Sequence, residues 1–228
     1  MRRDAIDLKV EHLASLRRPP LEYSLTARIF FLGMDLVTGS RTTLAKTVLL
    51  ESLASIPYRE WEAHAYARLT RGYRDAEAVR QAREVAGWAR NAQDNEYRHL
   101  LVISEKMRQD GLREPWYLHG LLPALMIGSY VLLSRLLTRL SAPRSYLFNA
   151  EFEDHAEHVY ASLVDEHTEW ESQQAAGAAV AEYAGQYGGQ GREIRTWADV
   201  FRRIGLDERD HRNASFALAG RPEAAAEY

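Results

Sequence analysis

Along most of this chain apolar residues return every three or four positions, and runs that alternate apolar with polar are scarce. That is the period of helices buried on one face rather than of half-buried strands, so the pattern predicts an all-α protein. Proline and glycine fall largely between the long stretches. Six helices are expected: about 21–37, ended near Gly39-Ser40; 41–70; 75–109, stopped by Gly111; 115–141, stopped by Pro143; 144–175; and 196–218. Residues 1–20 read as an N-terminal extension, 21–218 as one helical domain and 219–228 as a disordered tail. Between the last two helices, 174–192 join an Ala-rich piece to a Gly-rich run and are expected to form a flexible connection.

One stretch complicates a plain bundle. Residues 115–134, PWYLHGLLPALMIGSYVLLS, carry no charge and approach the length that spans a bilayer. Gly120, Pro123 and Gly128 interrupt the stretch, Arg135 and Arg139 follow it, and no second comparable segment exists. A monotopic helix lying in the membrane interface fits these features better than a span. The plain alternative is an ordinary buried bundle helix.

Composition narrows the chemistry. At 228 residues and 46% hydrophobic content the chain fills one core. With 29 Lys+Arg against 32 Asp+Glu there is no basic field to draw it onto nucleic acid. Cysteine is absent, which excludes disulfides, thiol nucleophiles and iron–sulfur clusters and leaves any metal to carboxylates and imidazoles. The charged start has no apolar core of a secretory signal, so the protein is expected not to be secreted.

Against that background the buried-looking charges stand out. Glu51 sits inside VLLESLASI, where an ionised carboxylate costs several kcal/mol unless it is paired or metal-bound. Glu96 with His99, and Glu208 with His211, are the two Glu-x-x-His matches, and their i, i+3 spacing sets both side chains on one helix face. Ala92, Leu100 and Ile103 turn the first pair toward a core. Each pair alone reads as a solvated surface pair; two of them, each preceded by a glutamate on an earlier helix, point to a metal pair. Glu51 to Glu96 is 45 residues and Glu153 to Glu208 is 55, spacings that bring sites on neighbouring antiparallel helices to one height. The order Glu, Glu-x-x-His, Glu, Glu-x-x-His is that of ferritin-like four-helix bundles with a di-iron centre, here with one or two additional interfacial helices. Which third glutamate serves is open: Glu153, Ala156, Glu157 and Tyr160 share a face, so Glu153 or Glu157 could point inward, while Glu151 points elsewhere and His155 and His158 add polarity.

At these residues the chain resembles the alternative oxidase family, particularly its plastid terminal oxidase branch. LLESLASIPY resembles the family's LET(V/I)A segment with the plastid VPY, NEYRHLLVISE its NE-x-x-HLL segment, and ADVFRRIGLDERDH its last ligand segment. The likeness runs from about Arg41 to Phe216. Aligning Tyr160 with the family's tyrosine seven residues after a ligand glutamate selects Glu153. Lys46 stands where the family usually has arginine near a quinone pocket, keeping the charge but losing the planar fork. The third motif is more polar than in mitochondrial members, through His155 and Glu157, and Tyr183 matches a family tyrosine in a loosely similar connection.

The resemblance implies a non-haem quinol oxidase that reduces dioxygen to water without pumping protons. It implies a monotopic homodimer, expected on the cytoplasmic side of a membrane, with quinol reaching the site from the lipid side. It further implies two irons, with manganese as a possible substitute, on Glu51, Glu96, His99, Glu153, Glu208 and His211, the histidines bonding directly or standing just outside. Tyr160 would donate electrons and protons, Asp207 would orient the surroundings, and Asn95 and Lys46 would lie close to the metals or substrate. Three other readings compete: a di-iron hydroxylase or desaturase acting on a soluble metabolite, which Lys46 and the polar third motif favour; an iron-storage bundle; and a metal-free scaffold.

Overall fold

In the computed structural model, which describes residues 6–226, the chain runs α1 (Leu8–Arg17), α2 (Leu25–Thr38), α3 (Leu44–Arg71), α4 (Ala76–Gln109), α5 (Leu121–Leu140), α6 (Ala142–Glu166), α7 (Ala178–Gly185), α8 (Trp197–Leu218) and α9 (Pro222–Ala226). Among the described residues there is no strand, only an isolated antiparallel bridge between Gln174 and Thr196. Local signals set the long helices. Thr43 caps α3 through the Lys46 amide, Asp75 caps α4 through the amides of Glu77 and Ala78, and Thr196 with Asp199 forms a capping box at α8.

Two hairpins make the bundle, α3 with α4 and α6 with α8. In α4 one buried stripe runs Ala82, Ala86, Ala89, Ala92, Glu96, His99 and Ile103. Four alanines let α3 approach closely, and the same stripe then presents the first Glu-x-x-His pair to the interior. Around the bundle lies a shell of shorter helices. The α2 helix buries Ala27, Phe31 and Met34, and the neighbouring Phe30 ring reaches Tyr130 of α5 with centroids 5.1 Å apart. In α5 only Tyr130, Ser134 and Thr138 are buried, whereas Leu121, Leu125, Leu132, Leu136 and Leu140 are each more than half exposed. This helix is therefore not the ordinary buried member that its apolar composition allows.

Several expected elements differ. The helix expected over 144–175 stops at Glu166, followed by a 3₁₀ turn over Thr168–Glu171. Acidic residues crowd that end, where the helix dipole disfavours them, and Trp170 turns inward to stack on Phe201 at 4.7 Å. The stretch 174–192 is ordered rather than a flexible connection: α7 buries Val180 and Tyr183, Glu105 accepts the Ala179 amide (3.0 Å), and Ala175 and Trp197 bond across to Arg195 and Gln173. Gly120, at φ 71, splits the apolar stretch into a short 3₁₀ turn and α5. Within the tail expected to be disordered, Pro222–Ala226 form α9, opened by Pro222, and residues 227–228 lie outside the described ones. Within 1–20, α1 packs on α6 and α8.

Candidate metal centre

Glu51 comes from α3, Glu96 and His99 from α4, Glu153 from α6, and Glu208 and His211 from α8, so all four bundle helices contribute. Two overlapping groups place ligand atoms within 4.8 Å of one another: Glu51, Glu96, His99 and Glu208, and Glu96, Glu153, Glu208 and His211. Glu96 and Glu208 belong to both. All are buried, from 0% exposed for Glu96, His99, Glu153 and Glu208 to 8% for His211.

The hydrogen bonding within this cluster is incomplete in a directed way. His99 Nδ1 lies 3.1 Å from Glu208 and 3.5 Å from Glu51, and His211 Nδ1 lies 2.7 Å from Glu96. Yet neither Nδ1 atom, nor Glu51 Oε2, Glu153 Oε2, or either oxygen of Glu96 and Glu208, makes a hydrogen bond of acceptable angle. Buried polar atoms are rarely left so. Here they converge on a common space, as donors around a cation do. Charge says the same, since four carboxylates face two imidazoles and cannot be neutralised by them. Burial, then repulsion from Glu96 and Glu208, pushes the Glu51 and Glu153 carboxyls well above the usual range. Burial alone would lower the two histidines, but the carboxylates around them outweigh it and raise both. A hard dication bound by oxygen and imidazole removes this imbalance, and the donor set fits one.

Around the cluster a ring of side chains fixes its members. Tyr160 Oη donates to Glu51, and Tyr58 Oη donates to Glu153 Oε1 at 2.5 Å. Asn149 donates to the same Glu153 oxygen at 2.9 Å. Asp207 lies 3.1 Å from His99 Nε2 and accepts from Tyr183 (2.7 Å), Tyr187 and Arg203. Burial would raise the Asp207 carboxyl, but His99 and Arg203 hold it below the usual range.

A family model described as Alternative oxidase matches residues 23–220. The chain belongs to the alternative oxidase family. No curated protein matches it. Alternative oxidases are di-iron helical proteins associated with membranes, with quinol oxidase activity in general, and the buried Glu/His groups are compatible with that centre.

The other candidates separate clearly. Glu153 is in the cluster; Glu157 is not. Its carboxylate accepts from Ser15 (2.6 Å), Arg18 (2.7 Å), Arg209 (3.0 Å) and Arg212 (2.7 Å), which hold it below the usual range against the upward push of burial. Glu151 accepts from the Ser24 amide and hydroxyl, and His158 bonds the Arg18 carbonyl. His155 stacks on Phe31 at 4.1 Å, and burial with Lys46 nearby lowers its pKa to about 4. Lys46 donates to Asp35 and to the Gly39 carbonyl (3.3 Å), tying α3 to the end of α2 away from the cluster. Asn95 donates to Gln186 at 3.4 Å. Tyr58 closes the LLESLASIPY string, in which the sequence gives it no role. It follows Glu51 by seven residues, as Tyr160 follows Glu153, and that repeat was the available signal.

Proposed function

We propose that this chain is a di-iron quinol oxidase that reduces dioxygen to water without pumping protons. The observation that carries the reading is the pair of overlapping donor groups sharing Glu96 and Glu208, in a chain of this family. In this reading Glu51, Glu96, His99 and Glu208 would hold one metal and Glu96, Glu153, Glu208 and His211 the other, Glu96 and Glu208 being common to both sets. Manganese suits the same donors. Bound iron would supply the electrons and the open coordination positions that dioxygen reduction needs.

The remaining work falls to the protein. Asp207, 3.1 Å from His99 Nε2, would hold a proton on that nitrogen and leave Nδ1 to face the metal when one is bound. Tyr160 holds a proton at Oη against Glu51 and is the nearest phenol positioned to release it there. Tyr58 and Asn149 occupy one oxygen of Glu153 and leave the other free. The cluster is buried on every side except at His211, which is 8% exposed. A cavity of about 340 Å³ between α2 and α5, lined by Phe30, Met34, Leu53, Met126 and Tyr130, suits a quinol arriving from lipid. Each quinol gives up two electrons and two protons, so two are consumed per dioxygen.

Exposed leucines on α2 (Leu25, Leu32 and Leu36) and on α5 support monotopic docking on a membrane. The cytoplasmic side and a homodimer belong to the same proposal, and the formal charge of −3 argues against a nucleic-acid partner. The test is cyanide-insensitive, quinol-dependent oxygen uptake by membranes containing the protein. Absence of uptake with every quinol tried, in protein carrying two irons per chain, would turn the assignment to an oxygenase acting on another small molecule. A cage-like assembly with many irons per chain would turn it to storage.

A further inference from the structure

Six buried ligand candidates raise the question of how an ion reaches them, and the faces of the bundle answer differently. Toward α2 and α5 the approach is the apolar cavity, which offers a hydrated dication no carboxylate. Toward α1 the seam of α6 and α8 is closed by Arg18, Arg209 and Arg212 paired with Glu11, Asp154 and Glu157, which leaves no free carboxylate for an incoming ion. Between α4 and α8 the packing is looser, and α7 with the turn after it bridges the gap. A cleft of about 370 Å³ opens there, with Asn91, Asn95, Gln186, Asp207, Asp210 and His211 along its polar side and Trp88, Tyr187 and Arg203 among the rest of its lining. Its floor is the least buried member of the cluster, His211, 8% exposed where the other five are 0–1%. Its mouth carries Asp210, with a side chain 67% exposed. Arg203 pairs with Asp207 and reaches Asp210 at 3.4 Å, so it neutralises one of two carboxylates and leaves the wall acidic.

We propose that this cleft between α4 and α8 is the entry for ferrous ion. The inference rests on the di-iron reading above. An ion would exchange its water for oxygen donors in steps, from Asp210 at the mouth, past the amides of Gln186 and Asn95, to the His211 imidazole and the shared glutamates behind it. Oxygen-donor walls lower the cost of shedding hydration, and an acidic mouth raises the local cation concentration and the on-rate. The apolar cavity then serves quinol alone, and the two kinds of traffic enter from different sides of the bundle.

The test mixes metal-free, full-length protein with ferrous ion under anaerobic conditions and follows free ferrous ion with a chromogenic chelator. Asp210→Lys should slow uptake about tenfold or more while the final content stays at two irons per chain, and Asp210→Glu should restore the rate. Gln186→Trp, on the exposed rim, should slow it by obstruction without entering the bundle core. Ser129 also lines the apolar cavity between α2 and α5, and Ser129→Trp, which fills it, should leave iron uptake unchanged. Wild-type rates in both Asp210→Lys and Gln186→Trp, or slowing by Ser129→Trp alone, would overturn the entry. If the unaltered chain takes up no iron at all, the di-iron reading falls first, a result distinct from normal loading that ignores the cleft.

Discussion

The α3–α4 hairpin and the α6–α8 hairpin carry the same elements in the same order, and each supports the other. Glu51 is followed at seven residues by Tyr58, which bonds Glu153 of the second hairpin. Glu153 is followed at seven residues by Tyr160, which bonds Glu51 of the first. The donors thus form a near-twofold set. Their surroundings do not. Before Glu208 stands Asp207, which takes up His99 Nε2, two tyrosines and an arginine. Before Glu96 stands Asn95, whose amide bonds Gln186 instead. Tyr58 is shared with Asn149 and packed on Trp61 and Trp88, whereas Tyr160 stacks on Phe201 against Gly205, where an added Cβ would touch the tyrosine. Symmetry in the ligands with asymmetry behind them separates two tasks. In the proposed di-iron reading, holding metal would be divided equally between the hairpins; fixing a tautomer and placing a proton would not.

The comparison breaks most visibly at the shared glutamates. Glu96→Ala or Glu208→Ala should remove both metals and lower oxygen uptake at least about 10³-fold. Glu51→Ala and Glu153→Ala should each lose one, and metal analysis of the four variants checks the division. The tyrosines come next. Tyr160→Phe should reduce turnover about 10²-fold, and Tyr58→Phe should show instead as a stability loss of about 1.5–3 kcal/mol in denaturant unfolding, with a smaller kinetic effect. Equal kinetic losses would mean that the hairpins are functionally alike. Asp207→Asn should weaken metal binding about 10–100-fold, and Asn95→Asp should change it little; titration with a competing chelator measures both.

The smallest effect concerns pH. Glu157 has a folded-state pKa below its unfolded value, so its stabilising share is present above about pH 4 and is lost as pH falls through the folded value. A melting temperature that drops on acidification in wild type, and drops less in Glu157→Gln, is the expected pattern.

How much of this was legible beforehand depended on where the partners lie. The helix period and the i, i+3 pairs are local, so the four bundle helices and the two Glu-x-x-His pairs could be read directly. Glu153 and Glu157 share a face by periodicity, and only a register argument through Tyr160 separated them. The physical difference is that Glu157 meets arginines from residues 18, 209 and 212, none of which looks unusual in sequence. For α7, the glycines around it read as a loop, while its order comes from burying Val180 and Tyr183. Tyr58 was hidden in plain periodicity, because one tyrosine near a buried helix face reads as core. Lys46, expected near substrate, ties two helices together through Asp35.

The α1 clamp bears on how the molecule is assembled in time. Ser15 bonds Glu157 across 142 positions of sequence, and Glu11 takes Arg209 across 198. Contacts of such separation form late, because so much chain must be gathered before they are rewarded. During synthesis α1 leaves the ribosome first and waits, without its partners, until α8 has followed. Three arginines and three carboxylates then meet in one step that only a complete chain can take. A chain cut short before Arg209 would therefore leave Glu157 with one of its three cations, buried and unbalanced.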